Sequence, residues 1–123
     1  EPGKRPRSSM APTIVLRDGA PVLVLGSPGG SRIIGYVARA IIAHLDWGMD
    51  VQAAVSAPNL VNRFGTFDVE PGDGWAALAA GLEAAGFEVM RAPLVSGLHA
   101  ISIGEAGLQG GADPRREGIA LGD

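Results

Sequence analysis

The chain has 123 residues, 46% of them hydrophobic and 19% charged, with a formal net charge of −3. That length fits one domain, and the composition excludes a disordered acidic or basic tail. The weak negative charge argues against non-specific nucleic-acid binding, and the lack of cysteine removes disulfides, thiolate catalysis and Cys-based zinc sites.

Residues 1 to 7 are polar, carry two prolines and read as an extended lead-in. They lack the apolar stretch of a signal peptide and an initiator Met, so an internal or C-terminal piece of a longer protein is expected. No apolar run is long enough to span a bilayer. Thr13-Ile14-Val15-Leu16 and Val22-Leu23-Val24-Leu25 are β-prone, with Asp18-Gly19 as the turn of an antiparallel hairpin. Residues 31 to about 47 read as a helix. Its apolar stripe is Ile34, Val37, Ala38, Ile41, Ile42 and Leu45, and Gly48 is its stop. Asp50 caps a short helix to about Val55, and Ala57-Pro58 ends it.

Residues 59 to 74 read mostly as loop, with a short strand at Phe67-Asp68-Val69. Trp75, Leu78, Ala79 and Leu82 repeat at helical spacing before Gly86. Strands are expected from Phe87 to Met90, over His99-Ala100-Ile101-Ser102-Ile103, and briefly near Leu108 after a turn at 104 to 107. The segment from Gly110 to Arg116 reads as loop. Aromatic residues are 5% of the chain, so Ala, Val, Leu and Ile must fill the core. This order of strands and helices fits an α/β layered fold better than a helical bundle. A Rossmann unit does not fit, because the glycines follow a hairpin strand.

Pro28-Gly29-Gly30-Ser31 admits two readings. One is a tight turn feeding the helix, with Ser31 as its N-cap. The other is a pair of backbone N–H donors facing a developing oxyanion, since helix-start N–H groups lack intrahelical partners and glycine lets a ligand come close. Ser8-Ser9 is either a polar turn or a pair of hydroxyl donors for a carboxylate. Arg32 is a first-turn residue with its stem on the surface, or a carboxylate partner. Arg5 and Arg7 are expected in solvent. His44 reads as a helix-face residue and His99 as a strand start, with no metal pattern or Ser-His-Asp triad around either. Asp68, Glu70 and Asp73 read as a solvated loop cluster.

The segments Lys4-Arg5-Pro6-Arg7-Ser8-Ser9-Met10 and Gly26-Ser27-Pro28-Gly29-Gly30-Ser31-Arg32-Ile33-Ile34 closely resemble the small-subunit signature of the γ-glutamyltranspeptidase family. Trp47-Gly48-Met49-Asp50-Val51-Gln52-Ala53-Ala54-Val55 and Gly110-Gly111-Ala112-Asp113-Pro114-Arg115-Arg116 extend that resemblance across nearly the whole chain.

The resemblance implies part of a four-layer αββα sandwich of the N-terminal-nucleophile type. Residues 1–123 would be the C-terminal part of a small subunit made by self-cleavage of a precursor. It assigns the oxyanion hole to Gly29 and Gly30, and the α-carboxylate of a γ-glutamyl substrate to Ser8 and Ser9. The family's nucleophile is an N-terminal threonine. Thr13 and Thr66 are the only threonines here, and neither is terminal. The nucleophile is therefore expected upstream or on another chain, with residues 1–123 alone inactive. Expected partners are the rest of the small subunit and the large subunit, with no nucleic acid, membrane span, metal or cofactor. A periplasmic or secreted location also follows from the resemblance. The alternatives are a related cephalosporin or glutaryl acylase, or a non-catalytic binding module. Exposed apolar surface and open sheet edges would lead the piece to self-associate.

Overall fold

The computed structural model describes residues 1–72 and 74–122. Strand β1 (Thr13–Arg17) pairs antiparallel with β2 (Ala20–Gly26). Asp18 and Gly19 both have positive φ, 52° and 81°, as a two-residue hairpin turn matched to strand twist requires. After a 3-10 turn (Gly30–Arg32) the chain enters α1 (Ile33–Leu45) and then α2 (Val51–Ser56). The Asp50 carboxylate accepts the Ala53 N–H at 2.9 Å, so the expected cap of α2 is present.

A hairpin of β3 (Leu60–Arg63) and β4 (Thr66–Val69) follows, then α3 (Trp75–Ala84) and β5 (Glu88–Arg91). The hairpin β6 (His99–Gly104) and β7 (Gly107–Ala112) closes the fold. Two sheets result, in the orders β1-β2-β6-β7 and β3-β4-β5, with β4 and β5 parallel. Two expectations change. The loop expected at 59 to 66 contains β3, whose pairing with β4 is fixed by partners rather than by its own pattern. The segment expected as loop from Gly110 is strand as far as Ala112, because Gly110, Gly111 and Ala112 pair with Ile101, Ala100 and His99.

One face of the larger sheet carries the core. Leu23, Leu25 and Ala100 lie beneath α1 and α2 with Val51, Val55 and Leu98. Tyr36 is the one aromatic residue in that cluster, so aliphatic side chains do fill it. The helix α1 is rotated from the expected stripe. Ile33, Tyr36, Val37, Ala40 and Ala43 are buried, whereas Ile34 and Ile42 remain 61% and 41% exposed. Both faces of α1 are apolar at helical spacing, and the small Ala40 and Ala43 favour close packing on the buried side. Leu78 of α3 is also exposed, leaving Ala79 as that helix's buried residue.

Candidate active site

The strand registers bring the start of β1, the end of β2 and the start of β6 to one end of the larger sheet. Thr13 pairs with Leu25, so the lead-in before β1 and the turn after β2 leave the sheet together. Gly26 pairs with His99, and His99 with Ala112. Segment 94–98 and Asp113 therefore meet at the same end. Ser8 and Ser9 lie in the lead-in, where the Ser8 hydroxyl accepts the Met10 N–H at 3.3 Å. Ser8 is exposed and Ser9 half-buried. Arg5 and Arg7 are exposed, as expected.

Gly29 and Gly30 have φ of 142° and 58°, values that side chains of L residues resist. A Cβ on Gly29 would lie 2.6 Å from Cε2 of Tyr36, so the buried ring of α1 packs directly against this backbone. The Gly29 carbonyl accepts the Arg32 N–H at 3.2 Å, and the Gly30 carbonyl accepts that of Ile33. Among the described residues neither glycine N–H donates to a side chain or to a carbonyl beyond its own turn. Ser31 is not the N-cap. It already lies inside the 3-10 turn that Gly29 opens, and no side chain caps either helical segment.

Segment 94–98 supports this turn from beneath. The Gly97 N–H donates to Ser27 Oγ at 3.2 Å, and the Ser27 hydroxyl donates to the Pro28 carbonyl at 2.7 Å. Gly97 leaves no room for a side chain: a Cβ would lie 2.7 Å from Pro28 Cγ and 2.5 Å from Arg116 Cδ. Asp113, 1% exposed, fixes the segment in turn. Its carboxylate accepts from the Ser96 hydroxyl and from the Leu98 N–H, the latter at 3.1 Å. The Asp113 N–H returns a bond to the Leu98 carbonyl at 2.8 Å.

Burial raises the Asp113 carboxyl, but hydrogen bonds from Ser96, the Arg115 and Leu98 amides and the Arg115 side chain outweigh it and hold it below its usual range. Arg115 also clamps Glu70 through two bonds of 2.8 and 2.7 Å. Burial lowers the Arg115 guanidinium, but Glu70 and Asp113 more than compensate and hold it above its ordinary value. Asn59, fully buried, donates to Glu70 at 2.8 and 3.2 Å and to Ser96 at 3.0 Å. Arg32, one residue beyond Ser31, pairs with Asp68 at 2.8 Å. Burial raises the Tyr36 hydroxyl against the opposing pull of Arg32, so the ring stays neutral.

The acidic residues are thus not a solvated loop cluster. Asp68 is buried on β4 against Arg32, and Glu70 is paired with Arg115, because the β3–β4 hairpin brings them to basic partners distant in sequence. Asp73 lies outside the described residues. His44 bridges as a helix-face residue, donating from Nδ1 to the Met49 carbonyl at 2.7 Å, with Nε2 2.8 Å from Ser102 Oγ. His99 opens β6. Among the described residues no group of three His, Asp or Glu side chains is placed to hold a metal, and no helix is long and apolar enough to cross a membrane. Ser27, Ser96 and Asp113 support the glycine turn in the structure, and none of the three is a candidate site residue in the sequence. Ser27 and Asp113 each lie inside a segment that carries the family resemblance, whereas nothing local marks Ser96.

The model of the Gamma-glutamyltranspeptidase family matches residues 1–123. Over 117 residues the chain is 41% identical to the glutathione hydrolase proenzyme of Escherichia coli (strain K12), covering 93% of this chain and 20% of that protein. Over 122 residues it is 38% identical to the acylase ACY 1 proenzyme of Pseudomonas sp. (strain SE83), covering 98% of this chain and 22% of that protein. The solved γ-glutamyltranspeptidase from Pseudomonas nitroreducens complexed with L-DON superposes with a TM-score of 0.83 at 32% identity. That likeness covers 100% of this chain and 66% of the other. The chain therefore spans about a fifth of the length of the curated relatives it matches. The shared fold makes the sheet and helices described above part of an αββα sandwich of the N-terminal-nucleophile type. With a match over its whole length and the same fold, the chain belongs to the γ-glutamyltranspeptidase family.

Proposed function

We propose that this chain supplies the oxyanion hole and the donor-carboxylate site of an enzyme that cleaves γ-glutamyl amide bonds. The acyl group then passes to water or to an amino acceptor. In this reading residues 1–123 are the C-terminal part of the small subunit. They work with the rest of that subunit and the large subunit, in a periplasmic or secreted protein. The observation that carries the reading is the turn at Gly29 and Gly30. Among the described residues its two N–H groups have no acceptor beyond the turn, and the lead-in that carries Ser8 and Ser9 enters β1 at Thr13, the partner of Leu25 just before that turn.

The chemistry follows from charge. A threonine hydroxyl from outside this chain attacks the amide carbon while its own amine takes the proton. Negative charge then develops on the carbonyl oxygen, where the Gly29 and Gly30 N–H groups meet it. One such donor contributes about 3 kcal/mol to the transition state. The C–N bond breaks, the amine departs with the proton, and water or an acceptor amine later resolves the ester. Ser8 and Ser9 donate hydrogen bonds to the substrate carboxylate, an interaction present before and during reaction, so its loss raises KM.

The likeness to an acylase proenzyme keeps a second donor class in view. Glutaryl and γ-glutamyl amides share the distal carboxylate and differ by one α-amino group, so Ser8 and Ser9 serve either. The test uses the full-length protein with a matched pair of such anilides. A larger kcat/KM for the γ-glutamyl anilide is expected, and Ser8→Ala with Ser9→Ala raises its KM about tenfold or more. Preference for the glutaryl anilide would move the assignment to the acylase. An unchanged KM in the double variant would remove the serines from the donor site.

A further inference from the structure

We propose that Ser27 is a positioning residue that sets the orientation of the Pro28–Gly29 peptide, and with it the direction of the Gly29 N–H. The inference rests on the oxyanion reading for its catalytic consequence, but its geometric part stands alone. The chain has no cis peptide bonds among the described residues. In a trans peptide the C=O and the N–H point in opposite directions. Holding the Pro28 carbonyl therefore aims the Gly29 N–H the other way.

The Ser27 hydroxyl is that hold, donating to the Pro28 carbonyl at 2.7 Å. The Gly97 N–H, donating to Ser27 Oγ at 3.2 Å, occupies a lone pair and leaves the hydroxyl proton for Pro28. Gly97 is itself held between Ser96 and Leu98, both 0% exposed. Asp113 binds each of those neighbours, and Arg116 Nε donates to the Ser96 carbonyl at 3.0 Å. The aim of the N–H thus runs back to a rigid buried cluster.

The hold is needed because the peptide is free to turn. A flip rotates ψ of Pro28 and φ of Gly29, and Gly29 has no Cβ to oppose it. The turned peptide would present the Pro28 carbonyl where the N–H now points, placing a partial negative charge against an oxyanion. An interaction that acts only on the charge developed during reaction changes kcat and leaves KM.

The experiment compares Ser27→Ala and Ser27→Thr with wild type in the full-length protein, by γ-glutamyl anilide kinetics and by crystal structure. Ser27→Ala is expected to lower kcat about tenfold, with KM changed by less than about twofold. Ser27→Thr, which keeps the hydroxyl, restores kcat to within about threefold. In the Ser27→Ala crystal the Pro28 carbonyl is expected turned or split between two orientations. A single unturned Pro28 carbonyl in that crystal overturns the inference, whatever the kinetics show. A turned carbonyl with unchanged kcat supports the positioning and instead removes the Gly29 N–H from the oxyanion hole.

Discussion

Asp113 takes four hydrogen bonds on two oxygens, from Ser96, Leu98 and twice from Arg115, while almost wholly out of water. Burial raises its carboxyl, and those bonds reverse the effect and hold it below the ordinary value. An unfolded aspartate titrates near 3.9. The ionised group therefore contributes stability fully above about pH 4, and that contribution is lost as the pH falls through the lower folded value. Asp113→Asn keeps the shape but weakens the charge-assisted bonds, and is expected to cost about 2 kcal/mol at pH 7. Urea unfolding of wild type and variant at pH 7 and pH 3 checks this. The difference between them should narrow at pH 3. A constant difference would show that the negative charge of Asp113 is not what stabilises the fold.

At the scale of elements, α1 carries a group that its surroundings do not satisfy. Arg39 is 6% exposed, and its Nη1 donates to the Ala54 carbonyl. Its Nε and Nη2 are buried with no partner among the described residues. Burial, and then repulsion from Arg115, push its guanidinium down to about 10. A cation with a lowered folded value is disfavoured by folding at neutral pH, and the penalty is relieved as the pH rises through about 10. Arg39→Met fills the same space without the charge, so it should raise the thermal midpoint by a few degrees. A lower midpoint would show that the bond from Nη1 to the Ala54 carbonyl outweighs the cost of the buried charge.

The same helix shows what a sequence can reveal. The first hairpin, the existence of α1 and the cap of α2 were legible because each is written locally, in Asp18-Gly19, in helical spacing and in Asp50. The buried face of α1 was not, because two apolar faces compete and only contact with the sheet and α2 chooses between them. The strand β3 was missed for a like reason, its pairing being set by β4. In the site, the glycine turn stood out as a local motif. Its support did not: Ser96 and Asp113 are 17 positions apart, and Ser27 and Gly97 are 70 apart.

For the whole molecule, the decisive feature is the second face of the larger sheet. Helices cover one face, whereas the register puts Ile14, Val24, Ile101 and Gly110 in one row on the other. Ile14 is 63% and Ile101 46% exposed, and Leu108, two positions along β7 on the same side, is 73% exposed. Among the described residues the tail at 119–121 lies against this face, where a Cβ on Gly110 would meet Ala120 Cβ at 2.7 Å. A cleft of about 520 Å³ remains between Val24, Ile101 and the tail. In an αββα sandwich a second sheet packs on such a face, burying apolar area at about 25 cal/mol per Å². That area is open in residues 1–123 alone, and among the described residues β1 and β7 are the outer strands of the larger sheet, so the piece is expected to self-associate with rising concentration. Sedimentation velocity over a concentration series measures it. Ile101→Lys places a charge in the centre of the row and should shift the distribution toward monomer if the face drives association. If strand edges drive it, the variant will associate like wild type, because Ile101 lies on an inner strand. A monodisperse monomer throughout would show that the tail shields the face sufficiently by itself.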